Sequence, residues 1–324
     1  MGDKKILKNS DHMVMKSLKV VSVNISRGKG TIKKPVDFID LGEQGIRNDA
    51  HAGAWHRQVS LLGVESMKRF SDQSGRDTAY GEFAENITTS GIELIDTRPL
   101  DRLVSENTEL EITQIGKKCH GSTCAIFKEV GDCVMPKEGI FARVVKGGSL
   151  KAGDTLDYLP RKYSFLVITL SDRASSGEYE DKSGPAVNRI LEEHFKANKR
   201  SVSIRNVVIP DDEFMLKALL ERSQKESFDF VITTGGTGIG KRDITPGVVR
   251  PLLDKEIPGI MEMIRVRYGA EKPNALLSRG VAGLMGSVIV YTLPGSVKAV
   301  NEYMNEIVKT MEHLVYMLNG LDAH

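Results

Sequence analysis

The order of apolar and polar positions divides the chain into two regions of different character. Residues 18–160 contain short segments in which apolar and polar residues alternate, such as Val20–Ile25 and Leu110–Ile115. This pattern predicts an all-β domain, a barrel or sandwich of antiparallel strands, with one helix near 64–72. Residues 161–324 instead alternate apolar runs with helical periodicity, which predicts an α/β domain with a mostly parallel sheet covered on both faces.

The second region predicts strands and helices in alternation. The predicted strands span 165–170, 202–209, 228–232 and 287–293, and the predicted helices span 184–197, 213–224, 246–254, 258–268 and 297–318. The last helix carries apolar residues from Val300 to Leu318 at spacings of three and four, which we interpret as core or subunit contact. Because ligands of such sheets bind beyond the carboxyl ends of the strands, the residues that follow each strand are candidates for a site.

Length and composition fit two globular domains and argue against several classes of protein. The 324 residues carry a net charge of +2, unlike a general nucleic-acid binder. No apolar stretch reaches the roughly 18 residues of a membrane helix, and the polar N-terminus lacks a signal-peptide core. The three cysteines lie within 119–133 and form no disulfide framework, which favours the cytoplasm. We place the domain boundary near residue 161 and interpret residues 1–17 as a flexible tail.

The segment with the clearest chemical signature follows the predicted strand 228–232. The range Gly235–Gly238 contains three glycines, and Thr245–Pro246 then offers a hydroxyl N-cap and a proline at the first helical position. A strand, a glycine loop and a helix start are the parts of a phosphate cradle, because glycine lets backbone N–H groups approach an anion. Lys241–Asp243 add two positive charges and a carboxylate that can hold a metal.

Two other interpretations of the glycine segment stay open. Gly235 to Lys241 fits the G-x-x-x-x-G-K pattern of a P-loop NTPase, but the next residue is Arg242 and not the Ser or Thr that binds magnesium. The helix signal also comes four residues after the lysine. The second alternative is a glycine-rich turn that binds no ligand.

Six motifs of the second region resemble, in order, those of the molybdopterin adenylyltransferase family. They are Leu170–Gly177 with Asp181–Pro185, Ile209–Asp211, Thr234–Gly238 with Arg242–Pro246, Ile257–Gly259, Leu277–Gly280 and Leu293–Ser296. The resemblance implies a three-layer α/β fold of the molybdopterin-binding type and a homotrimer formed through this domain. It implies that AMP is transferred from ATP to molybdopterin with Mg²⁺ as cofactor, and that pyrophosphate is released.

The resemblance also implies roles for residues that follow the strands. Asp211 and Asp243 would be catalytic and would bind magnesium through their carboxylates. Ser278 and Arg279 would contact the pterin or its phosphate. The other implied cofactor-binding residues belong to the glycine loop, the nucleotide pocket and the first strand end, and they are Ser171, Asp172, Thr234, Gly235, Gly236, Thr237, Gly238, Pro294, Gly295 and Ser296.

Each of these roles has a plainer alternative. Asp211 and Asp243 could cap helices, since Asp is favoured at N-caps, although Thr245 is better placed than Asp243 to do so. Arg279 could be a surface charge. The whole domain could bind molybdopterin or the molybdenum cofactor as a carrier without catalysing a reaction.

The first region resembles the MOSC domains, named after the C-terminal domain of molybdenum cofactor sulfurases. The matching segments are Gly45–Asp49 with His51 and Gly53, His56–Ser60, Gly81–Ile87, Leu110–Gln114, Lys118–Cys119, Gly139–Val144 and Lys151–Asp154. The resemblance implies a barrel-like domain that carries or sulfurates the molybdenum cofactor. Asn48 stands where the family has a glycine, so we expect a differently shaped loop. We interpret His51 and His56 either as hydrogen-bonded structural residues or as ligands of an anion or metal.

Cys119 is implied to be the catalytic thiol of the first region, as a sulfur carrier or a ligand at a molybdenum site. Neighbouring lysines and His120 supply positive charge of the kind that lowers the pKa of a thiol. Two alternatives stay open. Cys119, His120, Cys124 and Cys133 have the ligand types of a zinc site, and Cys119 could also be a buried, inert residue.

The two resemblances point to one pathway. Together they predict a cytoplasmic fusion protein of molybdenum or tungsten cofactor biosynthesis, whose second domain makes adenylyl-molybdopterin. Its first domain would carry, sulfurate or transfer the cofactor, and a covalent link would raise the effective concentration of one domain at the other. A molybdenum-insertion protein and a sulfur donor are the expected partners, with no membrane or nucleic acid involved.

Overall fold

The computed structural model of the protein describes residues 16–118 and 133–321. The chain divides into two compact units between Pro160 and Arg161. The predicted site residues Cys119, His120 and Cys124 lie outside the described residues. Across the described ranges, the structure has no helix with the length and apolar character that a membrane span requires.

The first unit is an all-β structure that closes into a barrel, as predicted. Its strands are β1 (Lys16–Ile25), β2 (Lys34–Val36), β3 (Phe38–Gly42), β4 (Gly45–Ile46), β5 (Val59–Gly63), β6 (Ile87–Ser90), β7 (Arg102–Val104), β8 (Glu109–Ile115), β9 (Ile140–Lys146), β10 (Gly148–Lys151) and β11 (Thr155–Leu159). Strands β11, β7, β8, β9, β5, β6 and β1 pair in that order, and β1 pairs back with β11. Strands β5 and β6 pair in parallel, so the prediction of antiparallel strands was wrong for this pair. Strands β10, β3 and β4 form a smaller second sheet.

Apolar side chains from around the ring fill the interior of this barrel. One buried cluster contains Leu18, Leu61, Ile87, Leu110 and Ile140. Inward-facing residues of a barrel alternate with outward-facing ones along each strand, as the sequence pattern predicts. The helices α1 (Val64–Ser74) and α2 (Met135–Glu138) belong to the same unit. Since β1 begins at Lys16, the last two residues of the predicted tail belong to the barrel.

The second unit is built on a six-stranded sheet. Its strands are β12 (Lys162–Leu170), β13 (Ser201–Ile209), β14 (Phe230–Thr234), β15 (Lys255–Glu256), β16 (Ala282–Met285) and β17 (Val288–Leu293). They lie in the order β13-β12-β14-β17-β16-β15. Strands β13, β12, β14 and β17 pair in parallel, whereas β16 is antiparallel to both of its neighbours.

Helices cover both faces of this sheet. They are α3 (Asp172–Ser175), α4 (Ser183–Ala197), α5 (Glu213–Lys225), α6 (Thr245–Val249), α7 (Pro258–Gly269) and α8 (Val297–Leu318). On one face, Leu166 of β12 packs in a cluster with Leu216 of α5. On the other face, Phe165 stacks on Phe230 of β14 with ring centres 4.7 Å apart, and Phe195 of α4 lies 5.5 Å away. The period-two alternation along β12 therefore separates two cores.

Three details of the second unit differ from the sequence prediction. The helix predicted over 246–254 ends at Val249 and continues only as a 3₁₀ turn, because Pro251 has no N–H to donate. Thr245 does not cap this helix; Ile244 holds the N-cap position, and the Thr245 hydroxyl donates to the carbonyl of Gly235 at 2.9 Å. Strand β16 was not predicted, because its four residues are too few to show the period-two alternation of a β-strand.

Candidate functional site

The carboxyl ends of four parallel strands carry most of the predicted site residues of the second unit. Parallel pairing places these ends at one edge of the sheet. Strand by strand, the residues there are Ser171 and Asp172 after β12, Asp211 after β13, Thr234 at the end of β14 with Gly235, Gly236, Thr237 and Gly238 after it, and Pro294, Gly295 and Ser296 after β17. Ser278 and Arg279 reach the same edge from the loop before β16.

The backbone of the glycine loop needs glycine at two positions. Gly235 and Gly236 have φ angles of +97° and +64°, in the region that L-residues rarely adopt. A Cβ on Gly235 would lie 2.3 Å from the carbonyl oxygen of Leu170, and one on Gly236 would lie 2.5 Å from the Thr245 hydroxyl. The N–H of Gly235 donates to the carbonyl of Leu293 at 2.9 Å, which fixes the loop to β17.

Two predicted carboxylates, Asp211 and Asp243, lie at this edge of the sheet. The Oδ2 atom of Asp243 accepts a hydrogen bond from the N–H of Gly240 at 2.8 Å, and it lies against Gly238. Asp211 is partly buried, and burial together with the negative charge of Asp243 raises its pKa. Asp172 pairs with Arg242, the neighbour of Asp243, and accepts the N–H of Asp211, so the fold places both predicted carboxylates at one edge of the sheet.

Neither carboxylate caps a helix among the described elements. The cap of α5 is the neighbouring Asp212, whose side chain accepts from the N–H of Met215 at 2.8 Å. Asp172 holds Asp211 in place, since its Oδ1 accepts the backbone N–H of Asp211 at 3.1 Å. Asp172 also forms an ion pair with Arg242 at the end of the glycine segment. The structure therefore gives Asp172 contacts that position its neighbours.

Arg279 is exposed, but its guanidinium is bound to the glycine segment. Its Nε donates to the carbonyl of Gly238 at 2.6 Å, and its Nη2 donates to the carbonyl of Asp243. Its backbone N–H donates to the carbonyl of Thr237 at 2.9 Å. Ser296 caps α8 by accepting the N–H of Ala299 at 3.3 Å. Both side chains thus support the loops that form the site.

Two clefts meet at the Gly295–Ser296 segment. The first, the glycine-loop cleft, has a volume of about 500 Å³ and is lined by Gly236, Thr237, Gly238, Asp243, Ser278 and Pro294, together with residues from the α7–β16 loop and α8. The second, the β12 cleft, has a volume of about 520 Å³ and is lined by Ser171, Arg173, Tyr179, Asp181 and Ser183. Two adjoining clefts of similar size suit two ligands held side by side. Asp172 and Asp211 line neither cleft.

Three side chains under the β12 cleft received no role from the sequence, although they connect to the predicted site residue Thr234; they are Thr169, Asp181 and Ser183. Asp181 accepts hydrogen bonds from the hydroxyls of Thr169 and Ser183, each at 2.8 Å. The hydroxyls of Ser183 and Thr234 lie 2.8 Å apart. The signal for this group was present in the Asp181–Pro185 motif, which the sequence alone did not connect to the strand ends.

The first unit carries buried charges near the predicted histidines. The Nζ of Lys33 donates to both carboxylate oxygens of Asp49, at 2.7 and 2.6 Å, and both side chains are fully buried. Burial acts to raise the pKa of Asp49, but the hydrogen bond from His51 and the charge of Lys33 outweigh it and hold the pKa low. His51 donates its backbone N–H to Asp49 at 3.0 Å, which favours a structural role.

The loop at Asn48 keeps the conformation that a glycine would take. Its φ of +66° is left-handed, and Asn tolerates this region better than most residues. The expected change of loop shape is therefore not required. Cys133 is half-buried, while its proposed zinc partners lie outside the described residues. Within the described ranges, no group of three or more His, Cys, Asp or Glu residues is placed to hold a metal.

Comparison with known proteins identifies both units. A model of the MOSC domain matches residues 48–157, and a model of the probable molybdopterin binding domain matches residues 166–313. The chain is 38% identical over 161 residues to the molybdopterin adenylyltransferase of Pyrococcus furiosus, a match that covers 48% of this chain and 91% of the relative. The chain belongs to the MogA/MoaB-like molybdopterin-binding family. Its molybdopterin-binding domain follows a MOSC domain, as both resemblances predicted.

Other similarities fall on the molybdopterin-binding domain. The gephyrin of Dictyostelium discoideum is 33% identical over 160 residues, which are 48% of this chain but only 22% of gephyrin. A solved structure of the tungsten cofactor synthesizing protein MoaB from Pyrococcus furiosus is 35% identical, with 50% of this chain and 98% of that chain covered and a TM-score of 0.43. Each of these matches covers about half of this chain.

Proposed function

We propose that the molybdopterin-binding domain transfers AMP from ATP to the terminal phosphate of molybdopterin and releases pyrophosphate, as a step of molybdenum cofactor biosynthesis. The proposal depends most on one observation: Asp243 lies against Gly238 of the glycine loop, and Asp172 connects Arg242, the neighbour of Asp243, to Asp211 at the strand ends. The name of the Pyrococcus furiosus relative supports the same reaction.

The two carboxylates suit a magnesium ion. Burial and the charge of Asp243 raise the pKa of Asp211, and a dication would offset the repulsion between the two carboxylates. Mg²⁺ in phosphoryl-transfer sites commonly takes one or two carboxylates and completes its shell with waters and phosphate oxygens. When bound, the ion would neutralise charge on the phosphates during transfer.

The other residues of the site would bind and orient the two polyanions. Backbone N–H groups of the glycine loop would hold phosphate, and Arg279 keeps that loop in shape through its carbonyls. Helix α6 starts at Thr245, four residues after Lys241, which argues against a P-loop whose helix begins at the lysine. Two clefts that share Gly295 and Ser296 would place nucleotide and pterin next to each other.

For the MOSC domain we propose that it carries or sulfurates the molybdenum cofactor, with Cys119 as the reacting thiol. The family match over residues 48–157 supports this assignment, and Cys119 itself lies outside the described residues. Fusion of the two domains would keep a labile cofactor intermediate near its next site.

The test is pyrophosphate release from ATP and Mg²⁺, with and without molybdopterin. We expect release that depends on molybdopterin in the native chain and a loss of at least about 100-fold in Asp243→Asn, because the metal then lacks one of its carboxylates. Asp212→Asn is the matched control, since it changes the adjacent carboxylate and asparagine caps α5 equally well; its rate should change less than about twofold.

One result would exclude the enzyme. If the folded native chain binds molybdopterin but releases no pyrophosphate, the domain is a carrier of the cofactor. Removal of Mg²⁺ with a chelator provides an independent check, because it should abolish release in the native chain without unfolding it.

A further inference from the structure

Three cationic side chains surround the end of the glycine segment, and the protein itself binds two of them. Arg242 forms an ion pair with Asp172, and the guanidinium of Arg279 donates to two carbonyls of the segment. Within the described residues, Lys241 has neither an ion-pair partner nor a hydrogen-bond partner, and it is exposed. The ammonium of Lys241 is therefore free to bind a ligand.

Lys241 lines a third cleft of the second unit, which we call the Lys241 cleft. This cleft has a volume of about 390 Å³. Asp243 and Ile239 line both this cleft and the glycine-loop cleft, so the two clefts adjoin at these side chains. The other walls of the Lys241 cleft include Glu213, Ile244, Gly247 and Arg279. The carboxylate proposed to bind magnesium therefore lies between two spaces, and the phosphate chemistry described above uses only one of them.

The Lys241 cleft contains charges of both signs. Lys241 and Arg279 are cations, whereas Glu213 and Asp243 are carboxylates. A bare polyanion would be attracted by the cations and repelled by the carboxylates. A polyphosphate that carries Mg²⁺ suits both signs, because its free oxygens can meet the ammonium while the metal meets a carboxylate. The cleft therefore suits a short polyphosphate as its magnesium complex.

The proposed reaction releases a ligand of this kind. A phosphate oxygen of molybdopterin forms a bond to the α-phosphorus of ATP, and the bond from that phosphorus to its bridging oxygen breaks. The electron pair of the broken bond leaves with pyrophosphate, which takes up the negative charge. Because the attacking and leaving oxygens lie roughly in line, pyrophosphate departs on the side of the phosphorus opposite to molybdopterin. A cation on that side would stabilise the charge that develops there.

We infer that the Lys241 cleft receives the pyrophosphate leaving group as its magnesium complex, with the Lys241 ammonium bound to the pyrophosphate oxygens. The inference rests on the proposed function, because adenylyl transfer is the reaction that produces pyrophosphate. It also gives a role to the lysine that fits the P-loop pattern although its helix starts too late for a P-loop.

The test compares the binding of pyrophosphate with that of AMP, which lacks the two phosphates that leave. Binding to the full chain is measured by isothermal titration calorimetry, without ATP or molybdopterin and with or without Mg²⁺. We expect the native chain to bind pyrophosphate only when Mg²⁺ is present. In Lys241→Gln the affinity for magnesium pyrophosphate should fall by about 5- to 20-fold, because an exposed charge-assisted contact is lost. The affinity for AMP should change less than about twofold.

Two further variants separate a direct contact from other effects. Lys241→Arg keeps the positive charge, so its affinity for magnesium pyrophosphate should stay within about threefold of the native value. Lys196→Gln is the matched control, because Lys196 is exposed on α4 and does not line the Lys241 cleft. It changes the net charge of the chain by the same amount as Lys241→Gln and should leave both affinities unchanged.

Four results would overturn the inference. They are a native chain that does not bind magnesium pyrophosphate, binding that is equally strong without Mg²⁺, a Lys241→Gln variant with native affinity, and an equal loss of AMP affinity in that variant. The outcome is separate from that of the proposed function, because binding needs no turnover. Pyrophosphate release that depends on molybdopterin can persist when Lys241→Gln binds pyrophosphate normally. Binding through Lys241 can likewise persist in a chain that releases no pyrophosphate from ATP.

Discussion

Replacing Gly235 with alanine should destabilise the molybdopterin-binding domain through the backbone alone. The φ of +97° places Gly235 where an L-residue is strained, at a cost of about 1–2 kcal/mol. The new Cβ would also lie 2.3 Å from the Leu170 carbonyl oxygen, a distance at which the loop or β12 must move. We therefore expect the free energy of unfolding to fall by about 2–4 kcal/mol.

The chain offers separate probes for its two domains. Its single tryptophan, Trp55, lies in the MOSC domain, so tryptophan fluorescence follows that domain. Far-UV circular dichroism is dominated by helices, most of which belong to the molybdopterin-binding domain among the described elements. In Gly235→Ala the dichroism transition should move down by roughly 4–16 °C, at about 2–4 °C per kcal/mol, while the fluorescence transition stays in place.

Gly247→Ala is the control that tests the reasoning. A Cβ on Gly247 meets no atom within 4 Å, and the residue is an exposed position inside α6. Alanine is the better helix former, so this exchange should stabilise the domain by up to about 1 kcal/mol. The argument would be refuted if Gly235→Ala melted with the native chain, or if both exchanges destabilised it equally.

Two further predictions concern buried or crowded charges. Asp211 has a raised pKa, so its charge lowers stability as the pH rises above about 4; Asp211→Asn should raise the melting temperature at neutral pH without Mg²⁺, and the gain should vanish in acid. Lys33→Met should leave Asp49 charged and unpaired inside the barrel and lower stability by about 3–5 kcal/mol, measured by Trp55 fluorescence. An exposed exchange, Lys16→Met, should change it by less than about 0.5 kcal/mol, and a similar loss in both lysine variants would contradict the prediction.

The sequence predicted the elements whose pattern repeats. Helix α8 has 22 residues and β12 has nine, long enough for apolar periodicity to set their type. Alternation in segments such as β8 predicted the all-β character of the MOSC domain but left a barrel and a sandwich both open. The apolar pattern did not predict features that depend on a single residue. Pro251 shortens α6, and the buried Thr245 hydroxyl bonds to the glycine loop instead of capping the helix.

The sequence predicted the site residues that belong to a recognisable motif. It did not predict those that are distant in sequence and come together only in the folded structure. Asp211 and Asp243 stood out because each follows a strand in a recognisable segment. Glu302 and Lys272 form an ion pair that lines the glycine-loop cleft, but Glu302 lies on the helix interpreted as core, and Lys272 is 30 residues away in sequence. Their pairing depends on how α8 packs against the segment after α7, which no local pattern encodes.

The site residues lie on loops, yet backbone hydrogen bonds fix those loops before any ligand arrives. The N–H of Ser171 donates to the carbonyl of Ile209 at 2.9 Å, and that of Asp211 donates to Asp172. Neighbouring strand ends thus hold one another, and Asp211 is kept near Asp243 although the two repel. Because the protein itself fixes these loops, the site is preorganised, and a bound cation would offset the repulsion without rearranging them.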